Sequence, residues 1–288
     1  IHPPIPVFLQ LVPVPILRSF NAAALSGPLL SSLFGAGTLL ILNRILLLLR
    51  VHDRYRWILL LLTQLYPSFL FAAAIGSVES IHLFVVLVVL WGVMLINRGQ
   101  MAFLICSFGI ILGFFVQYRI AGMLISVFLA LSILKWNLHE DWQIELEGWL
   151  LAFITPPLYA IGLWLLLNWL NQNDPFYFLK SLFDPIQAPS IARNVGLAHP
   201  YFLGWDNLIE ASVLTTIKTW ESSALFIIGS AVTGFFGFFF KRRRYIANLV
   251  VILSLPATLC LLLFLGVLPP WDYLWASLIP LSIILACQ

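Results

Sequence analysis

About ten apolar stretches separated by thin polar seams run the length of this 288-residue chain, and one seam is the cationic run Lys241-Arg242-Arg243-Arg244. That pattern constrains the fold more than any motif does. A helix needs about 20 mainly apolar residues to cross the hydrocarbon of a bilayer, and several stretches reach that length. Apolar residues make up 61% of the chain and charged residues 9%, whereas soluble domains carry roughly 45–50% and about 25%. A soluble domain of this size has no interior large enough for so much hydrocarbon. The expected class is therefore all-α, a single polytopic membrane domain over residues 1–288 with membrane lipid as its first partner. Trp57, Trp136, Trp149, Trp169, Trp271 and Trp275 fall near the ends of the stretches, as interfacial aromatic belts do.

Spans are expected at about 28–49, 57–76, 81–97, 101–116, 120–135, 149–171, 223–240, 245–266 and 271–287, nine in all. Residues 2–17 hold five prolines. Proline lacks a backbone donor and breaks regular helix, so residues 1–27 read as a re-entrant or interfacial segment. The longest polar region, 172–222, opens on Asn173-Asp-Pro, a turn signal. It closes on an amphipathic pattern from Asp206 to Trp220, with Leu208, Ile209, Val213, Leu214 and Ile217 on one helical face. That pattern suits a helix lying on the outer leaflet.

Alternating the spans across a membrane puts Arg50, Arg54, Arg56, Arg98, Lys135 and the 241–244 run on one side. The other side receives Arg119, Lys180, Arg193 and Lys218, with Arg18 nearby. Cytoplasmic loops are the Lys/Arg-rich ones. Residues 241–244 are thus expected in the cytoplasm, and Ile1 and 172–222 outside it. The basic residues follow membrane edges and not one soluble face, so the net charge of +3 does not indicate nucleic acid. Cys106, Cys260 and Cys287 sit in apolar stretches without metal-ligand spacing, which reads as inert thiols. The proline-broken spans also admit a lipid or solute transporter, although no internal repeat of the kind common in secondary transporters is visible.

Ionisable groups in or beside apolar spans are costly and face protein or a wet cavity. Glu79 and Arg119 fall at the outer ends of spans, as does His2-Pro-Pro. A guanidinium matches phosphate because its fork of donors meets the oxygens. A carboxylate there accepts a proton or holds a divalent cation such as Mg or Mn, which makes Glu79 the candidate metal ligand. Arg44 lies near the cytoplasmic edge and can snorkel. His82, one turn inside a span, reads as a packing residue. Phosphate-cradling glycine loops, zincin motifs and nucleophile elbows do not occur.

The order of several segments resembles the integral-membrane glycosyltransferases of the GT-C fold, in particular the dolichyl-phosphate-mannose mannosyltransferase and aminoarabinose transferase group. His2-Pro-Pro-Ile-Pro-Val-Phe-Leu9 is similar to the end of that family's first outer loop, and Ser77-Val-Glu79-Ser-Ile-His-Leu-Phe84 to its acidic second outer loop. Gly109 to Arg119 resembles the segment whose basic residue faces the lipid phosphate. Asn168 to Phe178, which holds Asp174, and Trp271 to Leu281 resemble two further stretches. The resemblance implies sugar transfer from a polyprenyl-phosphate donor at the extracytoplasmic face of a bacterial inner membrane. Arg119, Tyr118, His2 and Asp174 would bind substrate, and Glu79 would assist. The family's catalytic aspartate would precede Ile1, so part of the natural protein is expected upstream. Asp272 stands where the family usually carries arginine. That departure motivates a second expectation, a non-catalytic GT-C-like subunit working with partner membrane subunits.

Overall fold

A computed structural model describes residues 4–96, 101–135, 142–177, 208–264 and 271–288. Those residues are almost entirely helical, and no strand occurs among them. The helices are α1 Pro4–Leu11, α2 Pro13–Arg18, α3 Ser26–Leu48, α4 Asp53–Leu65, α5 Pro67–Ala74, α6 Val78–Leu95 and α7 Met101–Val116. They continue with α8 Ala121–Lys135, α9 Trp142–Gln172, α10 Leu208–Phe239, α11 Arg243–Phe264 and α12 Trp271–Ala286.

Among the described residues five segments are long and apolar enough to cross a membrane: Ala23–Leu48, Val78–Leu95, Leu151–Gln172, Leu208–Phe239 and Arg243–Leu261. A sixth crossing forms if α4 and α5 act together, although they bend by 63°. The expectation of nine spans is met only in part, because within the described residues α7, α8 and α12 have 16, 15 and 16 residues. At ~1.5 Å per residue they reach roughly 24 Å, less than a hydrocarbon core of about 30 Å. The break between α4 and α5 sits at Pro67, which starts α5 and holds Tyr66 in an extended conformation (ψ 121°). Such restraint of the preceding residue is what proline imposes.

Residues 4–18 are helical where proline-broken chain was expected. Pro4, Pro6, Pro13 and Pro15 fall in the first turns of α1 and α2, where a missing N–H costs nothing. The two helices are too short to span, which is consistent with an interfacial segment. The amphipathic stretch near residue 208 is helical. It meets the following span at a break at Ser223 (φ −161°, ψ 92°), so α10 is two helices joined at a kink. Its apolar residues Leu208, Ile209, Val213 and Ile217 are exposed, while Ala211, Thr215 and Thr219 are buried. The small polar stripe is thus the packed face, as close helix pairs in lipid require.

α6 is the axis of the bundle. It is apolar around its whole circumference, the signature of a fully surrounded helix, and 61% of its spanning window is buried against 17% for Leu151–Gln172. Glycines let its neighbours come close. A Cβ on Gly92 would stand 2.6 Å from Cys106 Sγ, one on Gly109 2.7 Å from Val89, and one on Gly113 3.0 Å from Val85. These pairings show α7 antiparallel to α6. Outward faces are oily instead: Leu33, Leu40, Phe108, Leu129, Leu151 and Phe235 are all exposed. Apolar patches of this extent need a non-aqueous partner. The chain is a helical membrane protein.

The two ends of the bundle differ. At one end Ile5 and Leu9 of α1 pack over Leu30, Ile81 and Val116. The α5–α6 turn closes against α3 there. Ser31 Oγ donates to the Ala73 carbonyl (2.8 Å) and accepts from the Gly76 N–H (3.0 Å). Gly76 has φ +82°, and a Cβ on it would meet the Gly27 backbone at 2.9 Å, so glycine is required. At the other end Arg50, Met94, Leu134, Lys241–Arg244 and Gln288 surround one pocket.

Candidate functional site at the Glu79 end of the bundle

Glu79 is placed by the start of α6. Ser77 caps this helix, its Oγ accepting the Glu79 N–H at 3.0 Å. The carboxylate therefore sits in the first turn, where the helix dipole favours negative charge. It is partly buried. The Ser31–Gly76 contacts set the position of this turn, so α3 and α5 both fix where Glu79 stands.

Tyr118 and Arg119 lie in the 3-10 turn Tyr118–Ile120 between α7 and α8. Backbone bonds close the turn, Gln117 N–H to the Gly113 carbonyl (2.7 Å) and Ile120 N–H to the Gln117 carbonyl (3.0 Å). The antiparallel pairing of α6 with α7 brings this turn and Glu79 to the same end of the bundle. Tyr118 is buried against Phe114 and Trp164, with ring centroids 5.3 and 6.4 Å away. In this turn, outside the spans, burial pushes its phenol up to about 12, opposed by a smaller lowering from Trp164. The hydroxyl is a neutral donor and acceptor.

Sequence reasoning passed over the surroundings of that turn. Gln117 and Asn168 are buried, and Gln117 Oε1 and Asn168 Oδ1 have no hydrogen-bond partner among the described residues. Asn168 donates its amide to the Trp164 carbonyl at 2.7 Å, which turns its oxygen away from its own helix. Leaving a buried acceptor unpaired costs about 1–3 kcal/mol. The available signal was the spacing Trp164–Asn168, one turn apart on the face of α9 that meets α7.

Asp174 falls at the same end but farther out, about ten residues beyond Trp164, or ~15 Å along a helix axis. Its Oδ1 accepts the Phe176 N–H at 3.0 Å. The expected Asp-Pro turn is present and this carboxylate shapes it. His2 lies outside the described residues. His82 is buried on α6, in keeping with a packing role, and Arg44 is exposed on α3. Among the described residues no group of three His, Cys, Asp or Glu side chains could hold a metal ion. None of Glu79, Tyr118, Arg119 and Asp174 lines the groove of about 980 Å³ between α4, α10 and α12.

Compared with protein-family models, curated proteins and solved structures, the chain matches none.

Proposed function

We propose that the chain is the membrane body of a glycosyltransferase-like protein that takes sugar from a polyprenyl-phosphate donor at its Glu79 end. The observation that carries this reading is the gathering of Glu79, the Tyr118–Arg119 turn and the buried oxygens of Gln117 and Asn168 at one end of an apolar bundle. The unpaired acceptors suit sugar hydroxyls, which are donors. The Arg119 guanidinium suits a phosphate diester. In the transfer step an acceptor oxygen bonds to the anomeric carbon while the bond from that carbon to the donor phosphate oxygen breaks. Polyprenyl phosphate leaves with the electron pair, and the acceptor proton passes to a carboxylate base. Arg119 offsets the charge that grows on the departing phosphate, and Glu79 assists the base.

Binding tests this reading directly. The purified chain should bind polyprenyl phosphate saturably, and Asn168→Leu should weaken binding of the sugar-linked form more than that of the sugar-free lipid. Equal loss for both ligands would remove Asn168 from sugar recognition. No saturable binding at all would end the proposal.

Asp272, opposite in charge to the family's arginine, favours a second reading in which the fold is kept and transfer is lost. Constant copurification with a larger membrane complex, without transfer activity, is the result that reading requires.

The orientation belongs to the same proposal. Arg50 and the 241–244 run share one end, and the cationic end faces the cytoplasm, leaving Glu79 outside. With the native cysteines replaced by alanine, a membrane-impermeant maleimide added to intact cells should label Asn173→Cys and spare Arg243→Cys. The reverse pattern would invert the assignment.

A further inference from the structure

The cationic end of the bundle carries a second feature, independent of the proposed transfer site. An apolar groove of about 980 Å³ runs between α4, α10 and α12, walled by Leu59, Leu62, Val232, Phe236 and Ile283. At the bundle end a pocket of about 800 Å³ is lined by Arg50 and all four cations of the 241–244 run. Arg242, Tyr245 and Gln288 line both. Groove and pocket therefore adjoin at these three residues, the one oily along its length and the other positive. Among the described residues no Asp or Glu side chain lines either part.

Two of the cations sit where the chain leaves a helix. Arg50 and Lys241 have φ of +60° and +49°, the left-handed region that side chains other than glycine's seldom enter. Arg242 lies 5.8 Å over the ring of Tyr245, on the boundary between groove and pocket. The buried amide of Gln288 has no hydrogen-bond partner among the described residues. Along α10 the groove runs from Leu225 to Phe240. That is roughly 22 Å of helix, more than the ~15 Å depth of one leaflet.

We infer that this space is a binding site for an anionic membrane phospholipid, with one acyl chain in the groove and the phosphate held by Arg242 and its neighbours. A free anion would use the pocket and leave the groove empty. A zwitterionic lipid would bring a choline or ethanolamine cation among five positive charges. A second copy of the chain would present the same cations to themselves. An anionic lipid satisfies both halves of the site, and basic pockets between membrane helices bind such head groups.

The test uses the purified full chain in neutral detergent, with bound lipid read by mass spectrometry of the intact protein. The probes are phosphatidylglycerol, phosphatidylcholine with the same chains, and inorganic phosphate. The expected result is selective retention of phosphatidylglycerol that inorganic phosphate does not displace. Arg242→Gln should weaken retention about fivefold, the worth of one cation near an anionic surface. Val232→Trp, which fills the groove and leaves the charge alone, should also weaken it. Equal retention of the two lipids would overturn the inference, and that comparison needs no variant. Displacement by inorganic phosphate, indifference to Val232→Trp in a folded variant, or a dimer that excludes lipid from the groove would overturn it as well.

Discussion

Arg119→Ala is expected to lower sugar transfer by about two to three orders of magnitude, the usual effect of removing one group that stabilises charge in the transition state. The protein should stay folded. The turn that carries Arg119 is closed by backbone hydrogen bonds at Gln117 and Ile120 and by the packing of Ile120 over Gly113, neither of which uses the guanidinium. Arg119→Lys separates charge from geometry. It keeps a point charge and loses the planar fork, so its activity should fall between the alanine variant and the parent. The measurement is turnover of a polyprenyl-phosphate-linked sugar by the reconstituted protein, expressed with whatever coding sequence precedes Ile1, beside a thermal unfolding curve for each variant. Unchanged turnover in Arg119→Ala would remove this residue from the mechanism.

Gly92→Leu should break the centre of the bundle. A Cβ at this position would stand 2.6 Å from Cys106 Sγ, 3.1 Å from the Cys106 backbone nitrogen and 3.2 Å from the Ala102 carbonyl oxygen. Two of those three atoms belong to the backbone of α7 and cannot rotate aside. The remaining atoms of the leucine side chain would have to separate α6 from α7. Overpacking of this kind costs about 3 kcal/mol, and it falls on the most deeply buried spanning helix. Gly162→Leu is the matched control, because nothing lies within 4 Å of its added Cβ and leucine is the better helix former by somewhat under 1 kcal/mol. Midpoints of denaturation in mixed micelles should drop sharply for the first variant and hold or rise for the second. Similar midpoints would mean that α6 and α7 are not in close contact at this level.

These two residues also mark how much was legible beforehand. Arg119 stood out in the sequence because it interrupts an apolar run, where an ion is costly enough to need a reason. Gly92 did not, because one glycine among valines and leucines gives no hint of which helix will press on it. Helix positions followed the apolar stretches closely: the expected span at 28–49 is the helix Ser26–Leu48, and the expected 81–97 falls on Val78–Leu95. Which stretches cross was not readable from hydropathy. A helix of 16 residues such as α7 is as apolar as a longer one. The Ala211, Thr215 and Thr219 stripe was hidden for a similar reason. In lipid the apolar face of a helix turns outward and the small polar face packs, the reverse of the rule in water.

At the candidate site the candidates spread along the chain from Glu79 to Asp174 were recognisable one by one. The partners that give the Tyr118 turn its character, Gln117, Trp164 and Asn168, became visible only once α9 was laid beside α7. The meeting of the oily groove with the cationic pocket at Arg242 is of the same kind.

Composition and the spacing of polar seams were sufficient to determine a lipid-embedded helical chain, the helix boundaries and the clustering of cations, because each depends on local hydrophobicity and charge. Which helix became the axis, which carbonyl oxygens were left buried and which cavities adjoin were decided by tertiary packing. Those outcomes depend on contacts between residues far apart in the chain, and no local property encodes them.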